Sequence, residues 1–175
     1  MDIQQVICTI NQMHADGIIE TYAIGGAVGA TFHLEPVSTL DVDIFVSFSA
    51  EPDSLLISPQ PIYDYLTARG CAADGAYIII AGWPVQFLPP TGALVEEALT
   101  KAVVYDVAGV PARVFTAEYL AAIALQTGRA KDKARLLQFI ESGILDPATF
   151  EDILSRHALT GQWTQFQRQF LSENP

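Results

Sequence analysis

Residues 23–46 read AIGGAVGATFHLEPVSTLDVDIFV, and this stretch decides the fold of the chain. A predicted strand over residues 21–24 ends at the paired glycines Gly25 and Gly26. The next residues have the composition of a short helix that ends by Pro36. From residue 39 to residue 46 every second side chain is aliphatic, which predicts a strand with one buried face. This order of segments indicates an α/β fold with a cleft where the segments meet.

Two aspartates lie on the second of these strands. Asp41 and Asp43 are two residues apart, so we expect their side chains on the same face of the strand. Neighbouring carboxylates repel each other, and a divalent cation neutralises them. Magnesium is usually bound by one or two carboxylates together with substrate phosphates, so the pair fits phosphoryl chemistry. The alternative is an edge strand whose outer face is simply acidic.

The glycine pair gains meaning from the acidic strand that follows it. Alone, two glycines at a strand end most often make a turn. Next to carboxylates they can do more, because glycine lets the main chain approach a phosphate closely and the following helix N-terminus favours an anion. We therefore predict one nucleotide–metal site from Gly25, Gly26, Asp41 and Asp43.

Composition limits the classes of protein that fit. The chain has 175 residues, of which 50% are hydrophobic and 17% charged, as in one folded domain or one domain with a small helical appendage. Its net charge of −11 disfavours an extended nucleic-acid surface. The first residues lack the pattern of a signal peptide, and no apolar run approaches the ~20 residues of a membrane span. We expect Cys8 and Cys71 to be reduced core thiols of a cytoplasmic protein without a membrane segment.

The remaining segments predict the domain organisation. An amphipathic helix opens the chain at residues 3–13, and another begins at Ser58-Pro59. Two hairpins follow, and from Thr116 onward the sequence contains about four helices. We predict an α/β (α+β) core with a mixed sheet over residues 1–115, and a helical C-terminal portion over 116–175 that packs on it.

The stretch at residues 23–46 resembles the signature of the nucleotidyltransferase superfamily, in the branch of AbiEii-type toxins and minimal nucleotidyltransferases. That signature pairs Gly-Gly with a strand in which two aspartates alternate with hydrophobic residues. Gly25-Gly26 and Asp41-x-Asp43 match it, and Thr39 and His33 also resemble frequent residues of the branch.

A second stretch, FTAEYLAAIALQTGRAKDKARL at residues 115–136, resembles the helical segment of the same superfamily. The matching residues are Gly128, Arg129, Lys131 and Asp132. The resemblance therefore extends over most of the chain and implies a nucleotidyltransferase-like mixed sheet flanked by helices.

The resemblance also implies a mechanism. A nucleotidyl group would move from a nucleoside triphosphate to an acceptor hydroxyl on a protein, an RNA end or a small molecule, at a two-metal magnesium site. Asp41 and Asp43 would bind the cations, while the Gly25-Gly26 turn and Thr39 would bind the nucleotide. Arg129, Lys131 and Lys133 are candidates to neutralise the triphosphate, although a solvated helix face explains these cations as well.

Three positions depart from the signature. Active relatives supply a third carboxylate from a later strand, and in WPVQFLPP at residues 83–90 this position is Gln86, which cannot act as a general base. Asp106 and the Glu96-Glu97 pair are possible substitutes. Ala124 and Val37 stand where the superfamily often has a basic residue.

Three hypotheses follow for the function. The first is a magnesium-dependent nucleotidyltransferase with an incomplete metal site. The second is a catalytically weak or inactive nucleotide-binding or interaction module, as in a toxin–antitoxin-like pair. The third is a structural α/β domain whose acidic strand is only surface.

Overall fold

The computed structural model of the chain describes residues 2–35, 39, 41–47 and 58–171. Within these ranges the chain forms a mixed sheet in the order β3-β4-β5-β2-β1-β7-β6. The strands span Thr21–Ile24 (β1), Val42–Ser47 (β2), Ala72–Asp74 (β3), Tyr77–Ile80 (β4), Trp83–Leu88 (β5), Val103–Val107 (β6) and Val110–Val114 (β7). The helices span Ile3–Ala15 (α1), Gly26–Ala30 (α2), Gln60–Thr67 (α3), Ala93–Thr100 (α4), Ala117–Thr127 (α5), Ala130–Ser142 (α6), Pro147–Arg156 (α7) and Thr160–Phe166 (α8), and a π-helical turn follows at Gln167–Leu171. The predicted fold class is confirmed.

The centre of the sheet joins the two strands that the opening stretch predicts. Strand β1 runs antiparallel to β2 and parallel to β7, while β2 runs parallel to β5. Along β2 the side chains of Val42, Ile44 and Val46 are buried on one face. Asp43 and Phe45 therefore point to the other face, as the alternation predicts. The predicted strand position Leu40 and the departure at Val37 lie outside the described residues.

A hydrophobic core lies on each face of the sheet, so the sheet is a middle layer. Helices α1 and α3 cover one face, with Ile7, Ile10 and Leu66 fully buried against the sheet. Helices α4 to α8 form the core on the other face, which includes Phe115 and Phe139. In the described residues no helix is long and apolar enough to cross a membrane.

Local sequence signals explain where several helices begin and end. Asp2 accepts hydrogen bonds from the backbone N–H groups of Gln4 and Gln5 and so caps α1. Asp146 caps α7 in the same way, with Pro147 at the first helical position. Helices α5 and α6 each end at a glycine in the left-handed conformation, Gly128 and Gly143 in turn.

An ion-pair cluster joins three helices of the chain. Glu97 of α4 accepts hydrogen bonds from Arg156 at 2.6 and 2.7 Å, and the hydroxyl of Tyr119 also donates to it. His157 Nε2 lies 2.9 Å from the same carboxylate. These bonds lower the pKa of Glu97 to about 2, first through Arg156 and then through Tyr119. The cluster ties α4, α5 and α7 together.

The structure differs from the sequence prediction at three points. The chain adds a helix, α4, and a three-residue strand, β3, to the predicted segments. Helix α4 follows a glycine with φ +82° and has no capping side chain, so it carries no sequence signal for its start. Cys71 is half-buried, whereas Cys8 is exposed on α1 and is not a core thiol.

Candidate functional site

A cleft of about 420 Å³ lies between the sheet and helices α5 and α6. Five of the residues that the sequence predicts to bind the nucleotide or the metal line it: Gly26, Asp41, Asp43, Arg129 and Lys131. Gly25 is not among the lining residues, but its N–H donates to the carbonyl of Asp43 at 3.0 Å. The glycine pair and the acidic strand are therefore directly hydrogen-bonded at the edge of the cleft.

Gly26 makes the closest approach between the turn and the acidic strand. Its φ of +57° is a left-handed conformation, which favours glycine. A Cβ placed on it would lie 2.1 Å from Oδ2 of Asp43, far inside van der Waals contact. The glycine at this position is therefore required both by the backbone and by the neighbouring carboxylate. The helix that follows, α2, has five residues, so little helix dipole adds to the local field.

Asp41 lies immediately before β2, and two side chains contact it. The hydroxyl of Thr39 donates to the Asp41 carbonyl at 3.2 Å and lies 3.4 Å from its carboxylate. The hydroxyl of Tyr77 donates to Oδ2 of Asp41 at 3.5 Å. Thr39 thus orients the aspartate, while Tyr77 of β4 is a cleft residue that the sequence analysis missed.

Asp43 is partly buried, and its environment opposes ionisation. Burial raises the pKa of Asp43, and the nearby charge of Asp41 raises it further. The cations Lys131, Arg135 and Arg129 act in the opposite direction. The ionised carboxylate of Asp43 thus lacks full compensation from the protein, which is the electrostatic condition that a bound cation relieves.

Gln86 occupies the register position next to Asp43. Strand β5 pairs with β2 so that Asp43 lies opposite Gln86, and both residues line the cleft. The position at which the resemblance predicts a third carboxylate therefore lies at the cleft, but it is occupied by the amide of Gln86. Glu97 is bound in the ion-pair cluster, and Asp106 caps the β6–β7 turn by accepting from Gly109 N–H at 3.0 Å.

Among the described residues, the only other acidic side chain that lines the cleft is Asp132. It is 3% exposed, and Nε of Arg129 donates to it at 2.6 Å. Arg135 lies on its other side, with Nη1 at 3.8 Å. Asp132 is therefore neutralised by two guanidiniums and fixes them at the cleft. The described residues contain no group of three or more acidic, histidine or cysteine side chains placed to bind a metal.

Helix α6 and its N-cap residue supply the positive side of the cleft. Arg129 and Lys131 line it as predicted, and Arg135 joins them. Lys131 and Arg135 are four residues apart on a helix, so the sequence already placed them on one face. Lys133 points elsewhere: its Nζ lies 5.7 Å from the ring centroid of Phe170, and it lines a separate small cavity.

The other positions singled out in the sequence have different places. Ala124 lines the cleft from α5, so the lysine that the resemblance leads one to expect there is replaced by a small apolar group. His33 is not among the cleft-lining residues. Its Nε2 lies 2.8 Å from the carbonyl of Phe115, and its Nδ1 lies 3.4 Å from the hydroxyl of Tyr105. His33 therefore connects α2 to the chain after β7.

Part of the cleft wall is apolar. The rings of Phe45 and Phe115 pack at 4.9 Å between centroids, and both line the cleft. Leu120 and Ile123 of α5 extend this apolar surface. The cleft thus combines carboxylates, cations and an apolar wall, which suits a ligand with a charged part and a flat or aliphatic part.

Comparison with solved structures finds nucleotidyltransferase-like proteins. An antigenic nucleotidyltransferase-like protein from Paracoccidioides brasiliensis is 12% identical, with a TM-score of 0.53 over 79% of this chain and 75% of that one. ANT(2'')-Ia in complex with adenylyl-2''-tobramycin is 15% identical, with a TM-score of 0.54 over 91% and 98% of the two chains. The solution structure of the antibiotic-resistance factor ANT(2'')-Ia is 16% identical, with a TM-score of 0.52 over 99% and 100%.

These likenesses show that the chain has a nucleotidyltransferase-like fold. No family model matches the chain, and no curated protein matches its sequence.

Proposed function

We propose that the chain binds a magnesium–nucleoside triphosphate in the cleft and transfers its nucleotidyl group to an acceptor oxygen. One observation carries the proposal: Gly26 closes directly against Asp43, so a glycine turn and a carboxylate pair share one cleft. The turn allows the main chain to approach the phosphates, and the carboxylates provide oxygen ligands for the cation that accompanies them.

Asp41 and Asp43 are the residues that would bind magnesium. Both are oxygen donors at the same cleft, and the raised pKa of Asp43 reflects negative charge that the protein leaves incompletely compensated. This donor set fits one magnesium ion shared with substrate phosphates. When bound, the ion would neutralise phosphate charge. A second ion would have the neutral oxygen of Gln86 where a third carboxylate is expected.

The cations of α6 support binding of the triphosphate. Arg129 donates to Asp132 at 2.6 Å and Arg135 lies 3.8 Å from the same carboxylate, so both guanidiniums lie at the cleft, where they can meet a phosphate. Lys131 is exposed at the same cleft and adds a third positive charge. Arg135 compensates in part for the absence of a lysine at Ala124. Thr39 contributes by holding Asp41 in place.

The acceptors that the sequence resemblance implies are hydroxyl groups of a protein, an RNA end or a small molecule. The solved structure of ANT(2'')-Ia contains adenylyl-2''-tobramycin, which supports a small-molecule acceptor. The net charge of −11 speaks against a long nucleic-acid contact.

Three further predictions from the sequence are part of the proposal. The chain would belong to the AbiEii-type branch, its α/β core and its helical portion would divide at residue 115, and the protein would be located in the cytoplasm.

A second candidate function is nucleotide binding without catalysis, as in an interaction module of a toxin–antitoxin-like pair. One observation favours it, namely the amide of Gln86 in register with Asp43. Both candidates require that the cleft bind a magnesium nucleotide, and only the first requires covalent transfer.

Calorimetry with ATP, CTP, GTP and UTP, each with and without magnesium, tests the proposal. We expect magnesium-dependent binding of at least one nucleotide, and its loss in Asp43→Asn. Asp106→Asn is the matched control, because Asp106 is an acid near the end of β6 and not a cleft residue. Absence of binding in the unmodified chain, or equal binding by both variants, contradicts both candidates. Transfer of label from an α-labelled triphosphate to an acceptor then separates the transferase from the binder.

A further inference from the structure

The residue at the third-acid position bears on which acceptor the cleft can use. Gln86 lies opposite Asp43 across the β2–β5 ladder and lines the cleft. Its amide cannot take up a proton at neutral pH and brings no negative charge. It does offer two N–H donors. A carboxylate at this place would repel an anion, whereas the amide can donate a hydrogen bond to one.

Among the described residues, no carboxylate or histidine at the cleft, apart from the proposed magnesium ligands, is placed to remove a proton from an acceptor. Asp132 is buried and engaged by Arg129 and Arg135. Asp41 and Asp43 are assigned to the magnesium–triphosphate. His33, the histidine nearest the glycine turn in sequence, has both ring nitrogens close to other groups and is not a cleft residue.

This arrangement weighs against an acceptor that must lose a proton. A hydroxyl nucleophile is protonated at neutral pH, and a positioned base contributes about 10²–10⁴-fold to its reaction. A carboxylate, with a pKa of about 4, is already ionised. A phosphate monoester, with a second pKa of about 6, is also largely ionised. Arg129, Lys131 and Arg135 line the cleft and can offset the added negative charge.

We propose, as an extension of the proposed function, that the acceptor's nucleophile is an oxygen that is already anionic, on a carboxylate or a phosphate monoester. A lone pair of this oxygen forms a bond to the α-phosphorus of the triphosphate. The bond from the α-phosphorus to its bridging oxygen breaks, and the electron pair leaves with pyrophosphate. No proton leaves the acceptor. The products are a nucleotidyl anhydride of the acceptor and pyrophosphate.

The experiment uses the full chain, magnesium and the α-labelled triphosphate that calorimetry identifies. Three defined pools serve as acceptors: amino acids and small carboxylic acids, sugar phosphates, and neutral polyols with tobramycin. Hydroxylamine cleaves an acyl-phosphate product and leaves a phosphodiester intact. A pyrophosphate-linked product survives hydroxylamine and is cleaved by a nucleotide pyrophosphatase. The chemistry of the link therefore identifies which oxygen attacked.

We expect label in the carboxylate or the phosphate pool at least about tenfold above the hydroxyl pool, the low end of what a missing base costs. Gln86→Glu is the test variant, and the unmodified chain is its isosteric neutral control. The new carboxylate repels an anionic acceptor and can serve as a base. The ratio of anionic to hydroxyl products should therefore fall by about tenfold or more. This ratio is taken within each variant, so a change in nucleotide affinity does not enter it.

Four outcomes overturn the inference, and they leave the proposed function in distinguishable states. Equal or greater transfer to the hydroxyl pool refutes the inference but not the proposed transferase. An unchanged ratio of anionic to hydroxyl products in Gln86→Glu does the same. No transfer to any pool, with nucleotide binding intact, refutes both the inference and catalysis and leaves the binding module. No magnesium-dependent nucleotide binding refutes the proposed function itself.

Discussion

Gly26 lies so close to Asp43 that a Cβ at position 26 would be 2.1 Å from Oδ2 of the carboxylate. This relationship links the glycine turn to the acidic strand, two sequence features that are 17 positions apart by their residue numbers. It also makes the geometry of the carboxylate depend on the identity of a residue with no side chain. The first prediction follows from this contact.

Gly26→Ala should destabilise the protein and reduce magnesium–nucleotide binding. The left-handed backbone costs an alanine roughly 1 kcal/mol, and displacing the carboxylate adds about 1–3 kcal/mol as in other overpacked sites. Gly75→Ala is the matched control, because Gly75 has a φ of +60° and nothing within 4 Å of a Cβ. Thermal denaturation should show a larger loss for Gly26→Ala. Equal losses, with nucleotide affinity kept in both, would show that the Asp43 contact is unimportant.

Asp43→Asn should raise the melting temperature in the absence of magnesium. Burial and Asp41 raise the pKa of Asp43 above 3.8, so the folded state binds its proton more tightly than the unfolded state. Its contribution to stability is complete below pH 3.8 and declines as the pH rises through the folded-state pKa. At neutral pH the ionised side chain therefore destabilises the fold, and asparagine removes this effect.

We expect the gain for Asp43→Asn to be about 1–3 °C at pH 7, since 1 kcal/mol corresponds to roughly 2–4 °C for a chain of this size. The gain should shrink as the pH falls toward 3.8. Magnesium should stabilise the unmodified chain more than the variant. Differential scanning fluorimetry at several pH values measures both effects, and a lower melting temperature for the variant at pH 7 would contradict the assigned environment.

Lys131→Met should weaken nucleotide binding by about tenfold, the size of a charge-assisted contact, and more so at low salt. Lys133→Met is the control, since Lys133 lies on the same helix but contacts Phe170 rather than the cleft. Calorimetry at two salt concentrations measures the effect. Equal weakening by the two variants would mean that the general charge of α6 matters and the position of Lys131 does not.

Glu97→Gln should destabilise the protein by about 2 kcal/mol at pH 7, between the values for exposed and for buried ion pairs. The pKa of Glu97 lies at about 2 in the folded protein and at 4.5 in the unfolded chain, so its stabilisation is complete above pH 4.5. It is lost as the pH falls toward about 2. Glu96→Gln, at the exposed neighbouring position, is the control. Urea titrations at pH 7 and below pH 4 should show the difference between the two variants shrinking with acidity.

Local patterns in the sequence predicted much of the fold and part of the site. The glycine pair, the alternation along β2 and the run of helices after Thr116 depend on neighbouring residues, and the structure confirms those elements. The sequence also placed Gln86 at the third-carboxylate position of the motif, whereas the pairing of Gln86 with Asp43 is known only from the structure. The roles of the site residues themselves stay predictions.

The missed features depend on pairing between distant segments. Tyr77 reaches Asp41 because β4 lies beside β5 and β5 lies beside β2. No local sequence pattern predicts this order of strands. The burial of Asp132 required knowledge of how α6 packs. Arg135 could have been found, because it lies one helical turn after Lys131.

The cleft takes Asp41 and Asp43 from the side of the sheet and its cations from α6 and the N-cap of that helix, and α6 packs against α5. Ala121 and Ala122 of α5 are fully buried in the core beneath it. A genetic screen for loss of nucleotide handling would therefore recover substitutions such as Ala122→Val that touch no ligand. Such alleles would keep every polar residue of the site but move the cations away from the carboxylates. They would therefore have the phenotype of binding-site mutants, although the defect lies in core packing. Scoring soluble yield beside activity would distinguish the two classes.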